Sequence, residues 1–372
     1  MDKLNWIITD EYLVGNYQNL NLNNNSKLAI FDLDHTLIKP KSNEMFPKNE
    51  NDWQFFDEYV INNILNLSKK GYDLIIITNQ KNLNGHNQLL WRTKLENIVK
   101  LIKLPLFILV SLKDDLFRKP RINLFEKIIN IKFDKKNSFY CGDAGGLKKR
   151  RINNVQIRAD FSDCDSKFAS NLGIKFIHRD EFIFGQKYDS EDLIIRYPIN
   201  FNKIEIGKYN FIEQDQDVIL NVGYPASGKS YYSKKMVINK GYSYINQDTL
   251  KTLDKCLEEF ESCLSSKKNI IVDNTNPSKL IRNKYIKLAK KYNYKIRCFY
   301  FNTSKELSNH NNIYRNIISN GQIKIIPKIA YNIYKKNFEM PTEEEGFNNV
   351  ETIDFKLYEN SINKKIYFSY LY

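Results

Sequence analysis

The octapeptide GYPASGKS, Gly223 to Ser230, follows the apolar run VILNV and leads into a stretch with helical character. It satisfies GxxxxGK[ST] in full, and no other segment limits the possible folds so strongly. A loop of this kind needs a strand before it and a helix after it, because glycines let backbone N–H groups close around phosphate while the helix N-terminus adds favourable partial charge. The segment predicts an α/β sheet that binds a nucleoside triphosphate. Gly223, Tyr224, Pro225, Ala226, Ser227 and Gly228 form the cradle, Lys229 reaches the terminal phosphates, and Ser230 presents its hydroxyl to Mg²⁺. ATP and Mg²⁺ are the expected cofactors.

A kinase also needs a group to orient or deprotonate the accepting hydroxyl. Asp248 in INQDTL and Asp273 in IIVDNTN both close apolar runs that read as strands, and either carboxylate can serve. Arg315, in HNNIYRN, is a candidate clamp on the transferring phosphoryl group.

A second constellation handles phosphate in the opposite sense. FDLDHTLI, Phe31 to Ile38, ends an apolar run with two carboxylates two residues apart, so Asp32 and Asp34 project to one side. That spacing suits a Mg²⁺-assisted phosphotransferase: Asp32 attacks phosphorus to give an aspartyl-phosphate, and Asp34 protonates the departing alkoxide and later activates water. Such a pair alone is a weak signal, and it gains weight from three residues farther along the chain. Thr78 in IIITNQ offers a hydroxyl at the next strand end, Lys119 in FRKPR a cation, and Asp143 in YCGDAGG a further oxygen ligand. The expected metal ligands are Asp32, Asp34 and Asp143 in this half and Ser230 in the other.

The runs KLAIFDLD, DLIIITNQ, PLFILVSL and NSFYCGDA alternate with helical stretches such as QFFDEYVINNILNLSKK. A second series of the same kind contains DVILNVGYP, YSYINQD, KNIIVDNTN and YKIRCFYFN. Both read as buried parallel strands joined by crossover helices, which gives an α/β chain of two tandem three-layer parallel-sheet modules. The expected organisation is an N-terminal extension (1–26), a first module (27–185), a polar linker (186–216) and a second module (217–372). Polar residues fall at strand C-termini, where open parallel sheets hold ligands.

Lys and Arg number 57 against 43 Asp and Glu, and the resulting charge of +14 favours a polyanionic partner. The clusters KKRR at Lys148 to Arg151 and KPR at Lys119 to Arg121 are candidate grips on backbone phosphate. Five cysteines without a CxxC pair argue against a disulfide framework or a structural zinc. No apolar run approaches the roughly 20 residues that span a bilayer. A soluble, unsecreted protein is expected, nuclear or cytoplasmic, including the cytoplasm of a virus-infected host, without a membrane partner.

The first half resembles the haloacid-dehalogenase (HAD) superfamily of phosphatases, and the whole chain resembles the bifunctional polynucleotide 3′-phosphatase/5′-kinases. The likeness runs from Lys27 to Phe347 through DLDHTLI, TNQ, FRKP, GDAGG, DFSDCDSKFASNLGI, GYPASGKS, NQDTL, VDNTNPS, HNN and FEMPTEEEGF. It implies a HAD-like, Rossmannoid phosphatase module joined to a P-loop NTPase-like kinase module. By this resemblance Asp32 matches the nucleophile, Asp34 the general acid, Asp143 a magnesium ligand, and Thr78 and Lys119 the phosphate-binding pair. Asp248 matches the kinase base, in preference to Asp273, and Arg315 falls near the arginine of the phosphate lid. The implied partners are nucleic-acid ends, DNA foremost, with a ligase downstream, and the expected state is a monomer. RNA ends, small nucleotides, and a non-catalytic end-binding role are the alternatives. His35 departs from the usual glycine of the phosphatase motif, Gln247 from an arginine before the kinase base, and the phosphopeptide-recognition domain of animal relatives is absent from this chain.

Overall fold

The computed structural model describes residues 4–42, 44–45, 47–81, 83–152, 155–188, 192–193, 195, 198–358 and 363–372. Residues 189–191, 194 and 196–197 of the expected linker, and 1–3 of the expected extension, lie outside the described residues. The chain forms two compact units, Met1–Arg196 with Ser369–Tyr372, and Tyr197–Phe368.

The first unit is built on a seven-stranded sheet. Its strands are β1 (Leu4–Ile8), β2 (Tyr12–Tyr17), β3 (Lys27–Phe31), β4 (Tyr72–Asn79), β5 (Leu106–Ser111), β6 (Phe139–Gly142) and β7 (Lys175–His178), in the spatial order β1-β2-β5-β4-β3-β6-β7. The five strands β3 to β7 run parallel. The first two are antiparallel, and β2 pairs with β5. The residues read from sequence as an extension therefore widen the sheet, and Leu13 and Tyr17 pack into its core.

Strand periodicity puts Ala29 and Phe31 on one face with Leu74 and Ile76, and Leu28 and Ile30 on the other with Ile75 and Ile77. Helices α1 (Tyr59–Lys69) and α2 (Gly85–Ile102) cover the first face with Val60, Ile64, Leu95 and Ile98. Helix α3 (Cys164–Leu172) and a short turn of helix at Asn123–Ile128 cover the second with Phe168, Leu172 and Phe125. Each fully buried side chain of this kind contributes about 1.5–3 kcal/mol, so the two faces together hold the strand ends rigidly in place. The helix expected from Gln54 begins only at Tyr59, because Gln54–Phe55 pairs instead with Ile38–Lys39.

The second unit carries a five-stranded, all-parallel sheet of β8 (Asp217–Val222), β9 (Ser243–Ile245), β10 (Ile270–Val272), β11 (Lys295–Phe301) and β12 (Asn349–Ile353), ordered β9-β10-β8-β11-β12. A short helix α4 (Lys229–Tyr232) follows β8, while α5 (Leu253–Ser265) and α6 (Lys279–Lys291) pack Phe260, Tyr285 and Ile286 against one face. Helices α7 (Lys305–Ile318), α8 (Lys328–Asn337) and α9 (Lys364–Tyr367) complete it. Of the expected linker, Tyr209 belongs to the other face's core and Phe211 packs against it. In both units the first parallel strand, β3 or β8, has the next two strands of the chain on one side (β4 and β5, or β9 and β10) and the following two on the other (β6 and β7, or β11 and β12), and this reversal of strand order opens a crevice at its C-terminal end.

Candidate active sites

In the first unit the ladder of β3 stops at Phe31, and the next residue, Asp32, still donates its N–H to Cys141 O at 2.8 Å. Strand β6 stops at Gly142 and delivers Asp143 beside it. Lys119 arrives on the loop after β5, its backbone clipped by Asn79, whose Nδ2 donates to Lys119 O at 3.2 Å and whose Oδ1 accepts from Lys119 N at 2.9 Å. Asp165 lies in the first turn of α3.

These elements converge on one buried ammonium. Lys119 Nζ donates to Asp32 Oδ1 at 2.7 Å, to Asp165 Oδ1 at 2.9 Å and to the Tyr140 hydroxyl at 2.5 Å. The Tyr140 hydroxyl in turn donates to Asp165 Oδ1 at 3.0 Å. Carboxylate oxygens of Asp32, Asp143 and Asp165 lie within 4.8 Å of one another. Thr36 Oγ1 knits the floor, accepting from Asp143 N at 3.0 Å and donating to Asp143 Oδ1 at 3.3 Å. A Cβ on Gly142 would stand 2.1 Å from Asp165 Oδ2, so only glycine lets the acid approach this closely.

Burial pushes the Asp32 carboxyl up to about 8; Lys119 opposes the rise, and Asp165 and Asp143 add to it. Asp143 is pushed up to about 7, by burial first and then by Asp165. Burial alone would lower the Lys119 ammonium, but Asp165 and Asp32 outweigh it and hold the group above its ordinary value. Three carboxylates around one ammonium leave a surplus of negative charge in a poorly solvated site. An all-oxygen donor set with that surplus fits a hard divalent cation such as Mg²⁺.

Asp34 stands outside this cluster of carboxylates. It is 37% exposed, accepts from Gln80 Nε2 at 2.5 Å, and lies 3.6 Å from the ammonium of Lys94, a lysine buried on α2. The same Gln80 nitrogen donates to Thr78 Oγ1 at 3.0 Å. The structure thus brings Asp32, Lys119 and Asp143 together directly and links Asp34 to Thr78 through Gln80. His35 has φ +57°, the left-handed region in which glycine is the default, and its Nε2 lies 2.8 Å from Met45 O. The backbone conformation accounts for the motif's usual glycine, and the imidazole engages Met45.

Sequence reasoning missed Asp165, Tyr140, Gln80 and Lys94. DFSDCDSKF carried a signal for Asp165, an acid in a helix's first turn after a run of turn residues, but only the packing of α3 against β6 turns it toward Lys119. Of the basic clusters, Lys148, Lys149 and Arg151 are exposed, whereas Arg150 pairs with Asp160 and Asp180, each at 3.0 Å. Arg121 is buried and pairs with Asp114, so the expected phosphate grip at Lys119 to Arg121 is instead interior.

In the second unit the loop Gly223–Ser230 leaves β8 between its neighbours β10 and β11. Gly228 adopts φ +102°, which turns the chain into α4. Lys229 Nζ donates to Gly223 O at 2.9 Å, Tyr224 O at 2.5 Å and Ser227 Oγ at 3.3 Å. Burial pushes this lysine down to about 8, while the charges of Asp273 and Asp248 oppose the fall and Arg315 reinforces it. Ser230 is exposed.

Asp273 is buried, accepting from Asn221 Nδ2 at 3.2 Å and the Tyr244 hydroxyl at 2.6 Å. Asp248 is exposed on a turn of helix whose start is capped by Asn246, which accepts from Asp248 N at 2.9 Å. Of the two acids, only Asp248 is open to an incoming hydroxyl. Gln247 is exposed, and its N–H donates to Asn274 Oδ1 at 2.8 Å. Arg315 projects from α7, is held by Asn312 Oδ1 at 3.0 Å, and has its pKa lowered by burial, with Tyr331 and Asp248 opposing. A cavity of about 310 Å³ opens beside the loop, lined by Ser230, Tyr314, Arg315, Ile318 and Phe355. Its rear wall is tied to the loop: the Tyr367 hydroxyl donates to Asn311 Oδ1 at 2.5 Å and Asn311 Nδ2 donates to Ala226 O at 3.2 Å.

Comparison with known proteins matches the two units separately. A family model described as polynucleotide kinase 3 phosphatase matches residues 27–183, and one described as an AAA domain matches residues 218–341. A chain of Acanthamoeba polyphaga mimivirus, named for a bifunctional polynucleotide phosphatase/kinase, is 36% identical over 387 residues, spanning 95% of this chain and 90% of the relative. The bifunctional polynucleotide phosphatase/kinase of Schizosaccharomyces pombe is 34% identical over 95% of this chain and 85% of its own length. The polynucleotide 3′-phosphatase of Saccharomyces cerevisiae is 28% identical over 42% of this chain and 86% of its own.

Proposed function

The chain belongs to the family of bifunctional polynucleotide phosphatase/kinases, and from that premise we propose that it removes 3′-phosphates and phosphorylates 5′-hydroxyls at DNA strand breaks, leaving ends that a ligase can join. The observation that carries the reading is the pairing, in one chain, of a lysine-centred carboxylate cluster at the strand C-termini of one sheet with a complete triphosphate loop at those of the other.

In the phosphatase reaction Asp32 attacks the terminal phosphorus, and the bond from phosphorus to the sugar's 3′-oxygen breaks as Asp34 gives that oxygen its proton. Water then attacks the aspartyl-phosphate, surrendering a proton to Asp34, and inorganic phosphate leaves. Lys119 neutralises charge on the phosphoryl oxygens, with Thr78 as a neutral donor. Asp32, Asp143 and Asp165 would hold Mg²⁺, whose charge offsets the repulsion between carboxylates and phosphate. The hydrogen bond from Gln80 and the nearby Lys94 ammonium orient Asp34 for its two proton transfers.

In the kinase reaction Asp248 takes the proton of a 5′-hydroxyl as that oxygen attacks the γ-phosphorus of ATP, and ADP leaves. Lys229 and Arg315 stabilise the charge that builds on the transferring group, and Ser230 offers a ligand to the accompanying Mg²⁺. The cavity beside Arg315 and Phe355 has room for the nucleoside of ATP.

Incubating the protein with Mg²⁺, ATP and DNA oligonucleotides bearing 3′-phosphate or 5′-hydroxyl ends should yield both conversions. Asp32→Asn should abolish only the first and Lys229→Ala only the second. Faster turnover of RNA ends would reassign the substrate, and tight binding without either conversion would refute catalysis.

A further inference from the structure

We propose that the last residues of the chain, Ser369–Tyr372, brace the phosphatase site by holding the loop that carries Lys119 and the helix that carries Asp165 at their working separation. The inference rests on the phosphatase reading of that site. These residues pack within the first unit although the residues just before them belong to the second.

The contacts reach both elements. On the Lys119 side, Arg121 Nε donates to Leu371 O at 2.9 Å, and Leu371 is only 1% exposed. On the Asp165 side, Lys167 Nζ donates to Tyr372 O at 2.9 Å and lies over the rings of Tyr370 and Tyr372. Asn171, also on α3, joins all three parts: its Nδ2 donates at 2.8 Å both to Tyr370 O and to Pro120 O, next to Lys119, and its Oδ1 accepts from Tyr370 N at 2.8 Å.

Arg121 and Lys167 are both buried, so their donors need acceptors wherever the side chains settle. Arg121 also pairs with Asp114 and Lys167 with Asp163, so without the tail each keeps one anchor within its own element and loses the acceptor that ties it to Ser369–Tyr372. Of the working contacts of the site, the 2.9 Å from Lys119 to Asp165 spans the two braced elements, and the 2.7 Å from Lys119 to Asp32 ties the first of them to the end of β3. A misplacement of about 1 Å at such a site is enough to cost about a hundredfold in rate. The residues of the tail touch neither reacting atom, and their role is positional.

The test compares the full chain with one ending at Phe368, measuring kcat and KM on a 3′-phosphorylated oligonucleotide, 5′-kinase activity and thermal melting on the same preparations. The brace predicts a fall of about tenfold or more in phosphatase kcat, little change in KM, and an intact kinase. Lys167→Met should reproduce part of the fall, and Lys167→Arg, which keeps a donor, should restore it. Equal phosphatase kcat in both chains would overturn the brace, and so would a parallel loss of kinase activity, which would make the tail a general support of folding. A full chain without phosphatase activity would instead overturn the reading on which the brace rests.

Discussion

The two phosphate sites solve the problem of a buried lysine in opposite ways. Lys119 sits against two carboxylates and a phenol, and its pKa is held above the ordinary value. Lys229 sits against two carbonyls and a hydroxyl, and burial pushes it down to about 8. The first site holds more carboxyls than its one ammonium can neutralise, so it keeps protons until a cation takes their place. The second is a cradle of neutral contacts around an ammonium that Asp273 and Asp248 offset only in part, and it calls for an anion. The difference follows from chemistry: one reaction uses a carboxylate as nucleophile, whereas the other uses protein charge only to hold and stabilise a phosphoryl group in transit.

Reciprocal substitutions put the largest strain on that comparison. Lys119→Met should lower 3′-phosphatase kcat/KM by roughly a thousandfold while sparing the kinase, and Lys229→Met should do the converse, by the scale expected for removing one key electrostatic donor. Steady-state rates on the two oligonucleotide ends decide it, and a variant that lost both activities would break the separation.

Proton exchange should differ in sign between the sites. With Asp32 near 8 and Asp143 near 7, the cation-free phosphatase site retains protons at neutral pH. Mg²⁺ binding should release them, and its affinity should climb between about pH 6 and 8 by up to about tenfold per unit for each proton displaced. ATP binding near pH 8 should instead draw protons onto Lys229. Calorimetry in two buffers of different ionisation enthalpy reads both signs, and equal signs would sink the contrast. The same raised carboxyls make the cation-free fold bind more protons than the unfolded chain. Their stabilisation is therefore full below the unfolded value of 3.8 and is lost as pH rises through about 7 to 8.

The smallest effect concerns His35. Its left-handed backbone costs about 1 kcal/mol relative to glycine, and glycine's extra freedom in the unfolded chain costs nearly as much. His35→Gly should therefore leave stability within about 0.5 kcal/mol and phosphatase activity intact. A larger loss in denaturant melts would mean that the imidazole's contact with Met45 O matters more than the backbone does.

The kinase site was the more legible of the two, because its phosphate ligands are contiguous in the chain and depend on backbone geometry that glycines announce. The phosphatase site is assembled from four separate elements, and only the residues at strand ends stood out. Asp165 and Tyr140 were hidden because neither lies in a spacing that implies its partner. The fifth strand of the kinase sheet, NVETI, is mostly exposed and carries no apolar run, and β1 and β2 fall in a stretch too short to suggest strands of a larger sheet.

What the sequence determined by itself was local: apolar runs of strand length, the glycine pattern after β8, and carboxylates in register at strand ends. These features arise from backbone sterics and periodicity, which act over a few residues. Only the tertiary structure decided which acids surround Lys119, that Asp273 is buried while Asp248 is open, and that the final residues return to the first unit. Those outcomes depend on the packing of elements distant in sequence, and on burial that changes the charge each group can hold.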